Sequence, residues 1–223
     1  HLGYNLVKAL LDGGHTVRAS VRSLADAAKT APLRQLGAVE LVEAEMKRPD
    51  QLRAAMEGID VLFHAAAVYS VAEADRNQEI LDSSLRGAEA ALRAAADARV
   101  GKVVLTSSIV TLPMTAPGAP PSTEADWTED TRIVYFRAKK EAEQLAWKLA
   151  GELKLNLATV LPGQIGGPGF QRNTPTLDQI EAAFRITPWK RVVVQPEHAH
   201  DAGVDDVLTG QIAHSDAACA HTA

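Results

Sequence analysis

A single cysteine, Cys219, among 223 residues excludes an internal disulfide and suits a reducing compartment. An excess of basic charge is also missing. Lys and Arg number 23 against 28 Asp and Glu, giving a formal net charge of -5 and a pI near 5.8. No block of lysines or arginines stands out, so nucleic acid is not an expected partner. No apolar run reaches the ~18 residues a membrane span needs, and no signal-peptide layout opens the chain. No membrane association is expected, and a cytoplasmic location follows by default. An initiator methionine is lacking too. His1-Leu2-Gly3-Tyr4-Asn5-Leu6-Val7 enters a helical pattern at once, with Leu6, Leu10 and Leu11 on one face, and the expectation is that sequence upstream has been lost. What is present, 46% hydrophobic and 23% charged residues, is ample for one core and part of a second lobe.

The pattern then alternates between the helical and the strand period. The first helix is expected to end at Gly13-Gly14, and Thr16 to Val21 alternates like a strand. Ser23 is expected to cap a second helix running to about Leu36, with Val39 to Val42 as the next strand. Asp50 to Glu57 reads as a short helix closed by Gly58. Ile59 to Ala67 is a continuous apolar run of the kind buried on both faces of a parallel sheet. Asn77 to Ala98 carries Ile80, Leu81, Leu85, Ala88 and Leu92 at helical spacing. Lys102 to Leu105 is a strand that delivers Thr106-Ser107-Ser108 at its carboxyl end. Pro113 to Asp130, rich in Pro, Gly, Ser, Thr and acids, reads as a surface loop. A helix is expected from there to about Ala150, stopped by Gly151, with Leu155 to Leu161 as the last clear strand. Five such alternations predict a doubly wound parallel α/β sheet, with a boundary at Pro162 between residues 1–161 and 162–223. Ligands of such sheets lie beyond the carboxyl ends of the strands.

Tyr135-Phe136-Arg137-Ala138-Lys139 stands 27 positions after Ser108. Tyrosine and lysine at i and i+4 share one helix face, where an ammonium favours the phenolate and makes Tyr135 a proton donor usable near neutral pH. The pair alone arises by chance in roughly one such chain in ten; its meaning comes from its surroundings.

Those surroundings resemble the extended short-chain dehydrogenase/reductase family, in its dihydroflavonol-reductase-like and 3-beta-hydroxysteroid-dehydrogenase-like branch. His1 to Val7 is similar to the end of the family's glycine-rich turn, with Gly3 as the third glycine. Val17 to Arg22 is similar to its second strand, Phe63-His64-Ala65-Ala66-Ala67 to its fourth and Thr106-Ser107-Ser108 to its fifth. Tyr135 to Glu143 and Leu161-Pro162-Gly163 with Gly166-Gly167-Pro168-Gly169 complete a match over residues 1 to about 170. The resemblance implies a Rossmann-like domain over 1–161, lacking its first strand, and the start of a smaller substrate lobe over 162–223. It also implies an NAD(P)-dependent oxidoreductase that reduces a ketone or aldehyde to an alcohol. Tyr135 would be the general acid, Ser108 would hydrogen-bond the same carbonyl oxygen, and Lys139 would hold the nicotinamide ribose and lower the Tyr135 pKa. Gly3, Arg22, Glu45, Ala65, Ala66, Pro162, Gly163 and Ile165 would line the cofactor together with Tyr135 and Lys139.

Arg22 ends the second strand where such sheets usually carry an Asp or Glu for a ribose 2'-hydroxyl; an arginine suits a 2'-phosphate, so NADP is favoured over NAD. Glu45-Met46 occupies the place where relatives commonly have Asp-Leu near the adenine. Two departures stand out. Ser84 replaces an asparagine common in the long helix, and the first strand with two glycines of the phosphate-binding turn is absent. The chain as given is therefore expected to bind NADPH poorly and to leave two strand edges unpaired. The rivals to a reductase are an NAD-dependent nucleotide-sugar epimerase or dehydratase and a non-catalytic dinucleotide-binding sensor or scaffold. The helices at 77–98 and 134–149 resemble those through which relatives form homodimers, and their alanine-rich faces fit a monomer equally. Trp127 either lines a substrate pocket or pins the long loop. Arg172 is either a substrate contact or a surface charge. His198, His200, Asp201, His214, Cys219 and His221 match no metal-ligand spacing.

Overall fold

A computed structural model describes residues 2–46, 48–65, 77–163, 165 and 220–222. Helix α1 (Leu2–Asp12) leads through Gly14, whose φ of +78° needs a glycine, into strand β1 (Val17–Val21). Then follow α2 (Ala27–Gln35), β2 (Val39–Glu43), α3 (Pro49–Met56), β3 (Val61–His64), α4 (Asn77–Asp97), β4 (Lys102–Thr106), α5 (Val134–Leu153), β5 (Leu157–Val160) and the short β6 (Ala220–Thr222). Pairing is parallel in β1–β2, β3–β4 and β4–β5, while β6 runs antiparallel to β5. This is the doubly wound α/β order expected from the alternation.

Three local expectations are corrected. Helix α2 begins at Ala27, not at Ser23. Ser23 instead starts a turn, its carbonyl accepting from the Asp26 N–H at 3.3 Å and its hydroxyl from the Ala25 N–H at 3.3 Å. Gly151 does not stop α5. The helix runs through it to Leu153, and Lys154 supplies the left-handed cap at φ 56°. Over its described residues, 59–65, the apolar run is not buried on both faces: only Val61–His64 is strand there, and Val61 and Phe63 remain 40% and 37% exposed. The described strands form two sheets, β1-β2 and β3-β4-β5-β6, so that β1 and β3 each keep an edge that pairs with no strand among the described residues, the two unpaired edges expected. The exposure of β3 follows from that. Among the described residues β3 pairs with β4 alone, so it is a rim strand with half the lateral cover of a central one, and its alternate side chains stay in contact with water.

The main core lies between the β4–β5 region of the sheet and a layer of three helices. Leu52 and Met56 of α3, Ala91, Leu92 and Ala95 of α4, and Ala146, Leu149 and Ala150 of α5 close over Val103, Leu105 and Leu157. Alanines at the contact let α4 and α5 approach closely, which fixes the α5 stripe that faces the carboxyl end of β4.

Candidate active site at the carboxyl end of strand β4

Beyond Thr106 the chain stays tied to β5. The Ser107 N–H donates to the Val160 carbonyl at 2.8 Å and the Ile109 N–H to the Pro162 carbonyl at 3.1 Å. Ser108 is buried and extended (φ -163°, ψ 149°) and caps the 3-10 turn Ile109–Thr111. Its Oγ accepts from the Val110 N–H at 3.4 Å, and its carbonyl accepts from Thr111 Oγ1 at 3.0 Å. A hydroxyl that accepts in this way keeps its own O–H for donation. Thr111 in turn anchors the long loop: its carbonyl accepts from the Thr128 N–H at 2.8 Å, and the Thr128 carbonyl accepts from Lys140 Nζ at 2.6 Å. The expected surface loop at 113–130 is thus pinned to α5 beside the site, by Thr128 next to the half-buried Trp127.

Tyr135, Lys139 and Glu143 follow at steps of four along α5 and form one stripe of the helix. Lys139 is part-buried and donates from Nζ to the Thr106 carbonyl at 3.3 Å. Desolvation lowers its pKa to about 8, while the Glu143 charge works in the opposite direction. Glu143 itself is 1% exposed, with its Oε2 accepting from Ser107 Oγ at 2.5 Å. His64, at the end of β3, is lowered to about 4 by loss of solvation and by the nearby Lys139 charge, so its imidazole is neutral at pH 7. Met46, His64, Ser84, Thr106, Lys139 and Glu143 are among the walls of a cavity of about 40 Å³, room enough for a water molecule among polar partners. Ser84 donates to the Ile80 carbonyl at 2.8 Å.

The remaining expected positions fall at the ends of elements. Gly3 is exposed in α1, and no atom lies within 4 Å of where a β-carbon would stand. Arg22 directly follows β1, is exposed, and engages no carboxylate among the described residues. Arg18 is occupied: it binds Glu40 at 2.8 Å and the carbonyls of Ala55 and Glu57 at 3.2 and 2.8 Å, clamping β1 to the end of α3. Glu45 is exposed after β2, its N–H donating to Gln51 Oε1 at 3.1 Å. Ala65 follows β3 and is partly buried; Pro162 and Ile165 after β5 are partly buried and Gly163 is exposed. Ala66 and Arg172 lie outside the described residues, as do His198, His200, Asp201, His214 and Cys219 of the histidine-rich tail. Among the described residues no group of three or more His, Cys, Asp or Glu is placed to hold a metal, and no helix is long and apolar enough to cross a membrane.

Met46 bridges the two halves. A β-carbon on Gly87 of α4 would come within 2.5 Å of the Met46 Cε, so the glycine is what lets the end of β2 reach the cavity under Lys139. Met46, His64, Ser107 and Glu143 line the site; all four lie within the segments quoted from the sequence, where none of them carries an assigned role. For Glu143 a signal existed: an acid four residues after Lys139, on a helix face otherwise lined by Ala138, Ala142 and Ala146.

Residues 1–186 match the family described as "NAD dependent epimerase/dehydratase family". The chain is 33% identical over 184 residues to cinnamoyl-CoA reductase 1 of Arabidopsis thaliana, covering 78% of this chain and 51% of that protein. It is 32% identical over 227 residues to dihydroflavonol 4-reductase of Zea mays, covering 95% of this chain and 62% of that protein. It therefore spans roughly half to two thirds of the length of these curated relatives. Among solved structures, vestitone reductase from alfalfa (Medicago sativa) superposes with a TM-score of 0.65 at 21% identity, covering 81% of this chain and 59% of that one.

Proposed function

Because this chain belongs to the NAD-dependent epimerase/dehydratase family, we propose that its site serves an NADP-dependent reduction of a ketone or aldehyde to an alcohol, on a small-molecule substrate. The observation that carries this reading is the placement of Lys139. A desolvated ammonium is held against the carbonyl of Thr106, two residues before the buried Ser108 and one helical turn after Tyr135. In this reading the chain's own residues do three things. Ser108 donates its O–H to the substrate carbonyl oxygen. Tyr135 donates its phenolic proton to the same oxygen as negative charge develops there, so that two donors meet one oxyanion. Lys139, one turn along α5, stabilises the phenolate left behind.

The nicotinamide supplies the hydride when bound. The residues present fit such a group: a part-buried ammonium at the carboxyl edge of the sheet suits ribose hydroxyls, and the exposed Arg22, free of carboxylate partners among the described residues, suits a 2'-phosphate. Lys139, Tyr135, Arg22, Glu45, Ala65, Pro162, Gly163 and Ile165 would hold it, with Ala66 and Gly3 as further positions of the family pattern. Residues 1–161 would then form the cofactor-binding unit, to whose sheet Ala220–Thr222 adds a strand beside β5, and the chain after Pro162 would begin the substrate lobe. Two curated relatives are named reductases, of cinnamoyl-CoA and of dihydroflavonol, which supports an aromatic carbonyl compound as the substrate class.

The test is oxidation of NADPH and NADH by the longest gene product containing this sequence, against a panel of aromatic and aliphatic carbonyl compounds, with Tyr135→Phe as control. Turnover with NADPH that falls by about 10²- to 10⁴-fold in Tyr135→Phe is expected. Undiminished turnover in that variant overturns the assignment. Release of tightly held NAD on denaturation, without net oxidation of added cofactor, favours an epimerase.

A further inference from the structure

Glu143 is the buried ionisable group that the proposed chemistry leaves unused. Placing a carboxyl at 1% exposure is costly unless hydrogen bonds and an opposite charge offset the lost hydration. Both are present. Ser107, the residue before Ser108, donates to Glu143 Oε2 at 2.5 Å across 36 positions of sequence, and Lys139 stands one turn back on the same helix stripe. The bond joins two elements that carry different parts of the site: the end of β4, with Ser108, and α5, with Tyr135 and Lys139.

We propose that Glu143 is a positioning residue of this site: through Ser107 it locks the end of β4 to α5, and through its charge it holds Lys139 as the ammonium. The proposal rests on the reductase reading of Tyr135, Ser108 and Lys139. Among the described residues the groups facing Lys139 are few. His64 comes from β3 and is neutral at pH 7, the Thr106 carbonyl comes from β4, the Ser84 hydroxyl lines the cavity from α4, and Tyr135 and Glu143 lie along α5. Among these Glu143 is the group whose charge favours a protonated lysine against the desolvation that lowers it to about 8. Without that charge Lys139 would shed its proton at a lower pH, and stabilisation of the Tyr135 phenolate would be lost on the alkaline side.

The two parts of the role separate by substitution. Glu143→Gln keeps the size and an oxygen able to accept from Ser107, but removes the charge. Ser107→Ala removes the bond and leaves the charge. The experiment follows Lys139 directly by the pH dependence of its side-chain NMR signals in lysine-labelled protein, assigned with Lys139→Arg, beside the pH profile of kcat. In Glu143→Gln the Lys139 titration and the alkaline limb of kcat are expected to move down together by about one pH unit or more. In Ser107→Ala the titration stays in place and kcat falls on the order of ten- to a hundredfold through misplacement of Ser108. An unmoved Lys139 titration in Glu143→Gln, or an unchanged kcat in Ser107→Ala, overturns the proposal. If Glu143→Gln does not fold, Glu143→Asp carries the test: the shorter carboxylate keeps the charge but withdraws from Ser107, so kcat must fall while Lys139 titrates as before, and an unchanged kcat overturns it. Failure of the reductase reading shows differently, as turnover that survives Lys139→Ala while the Lys139 titration still responds to Glu143→Gln.

Discussion

Lys139 donates from Nζ to the Thr106 carbonyl at 3.3 Å, joining α5 to the last residue of β4. A carbonyl is a partner for an ammonium but carries no full charge, so the bond orients the lysine without repaying its desolvation. The lysine is thereby placed at a cost in stability, a pattern associated with functional rather than structural charges.

Replacing Lys139 by Met should therefore stabilise the fold while abolishing turnover. The pKa is lowered in the folded state, from 10.5 to about 8, so folding disfavours the proton. The penalty is complete below pH 8, declines as pH rises to 10.5, and is absent above that. At pH 7 it amounts to up to about 3 kcal/mol, net of the attraction to Glu143 that works to raise the lysine's pKa, and the lost bond to Thr106 subtracts about 1 kcal/mol. Denaturant unfolding should show Lys139→Met about 1–2 kcal/mol more stable at pH 7, with the gap closing by pH 10.5. A destabilised variant at pH 7 contradicts the account.

His64 has the same sign of linkage at acid pH. Its folded pKa of about 4 lies below the ordinary 6.5 because burial, and then the Lys139 charge, oppose protonation. The unfolded chain binds the proton first, so stability present above pH 6.5 is lost as pH falls towards 4, by up to about 3 kcal/mol. His64→Gln should flatten that part of the profile. Equal slopes for the parent and the variant between pH 6.5 and 4.5, measured by urea unfolding, would count against a desolvated neutral imidazole.

Much of this was legible in the sequence, and the limits have physical causes. Strand and helix order followed from the change of hydrophobic period, and the helix stripe shared by Tyr135 and Lys139 from their i, i+4 spacing. Helix ends were less legible, because Gly151 fits within a helix as well as at its end, and Ser23 builds a turn as readily as a cap. The burial of β3 was misread because an apolar run reports what a strand could bury, whereas its cover depends on neighbours distant in sequence. Glu143 escaped for the same reason. An acid on a helix reads as a solvated charge until the Ser107 hydroxyl, 36 residues earlier, is brought against it.

Lys154 offers a test of backbone strain away from the site. It caps α5 at φ 56°, ψ 41°, its N–H donating to the Ala150 carbonyl, in the left-handed region where a β-carbon is crowded. Glycine relieves that crowding and costs some unfolded-state entropy, for a net gain of about 0.5–1 kcal/mol. Lys154→Gly should raise the midpoint of thermal unfolding by a few degrees and leave turnover unchanged. A lowered midpoint would mean that Lys154 contributes packing that outweighs its strain.

Arg22 carries the last prediction. It follows β1 in the open, and no carboxylate among the described residues competes for its guanidinium, whereas the neighbouring Arg18 is held by Glu40 and two backbone carbonyls. Of the two arginines, Arg22 is the one whose guanidinium is not already held by protein groups among the described residues. Arg22→Glu removes those donors and opposes the phosphate with like charge, while presenting a carboxylate to a 2'-hydroxyl. NADPH binding should weaken by tenfold or more, equivalent to about 1.4 kcal/mol, while NADH binding holds or improves. Fluorescence titration of both cofactors measures the ratio. An equal loss for the two would place Arg22 away from the 2'-position and leave the proposed preference for NADP without its residue, whereas Arg18→Ala should act on stability, through the lost clamp on α3, and move the ratio little.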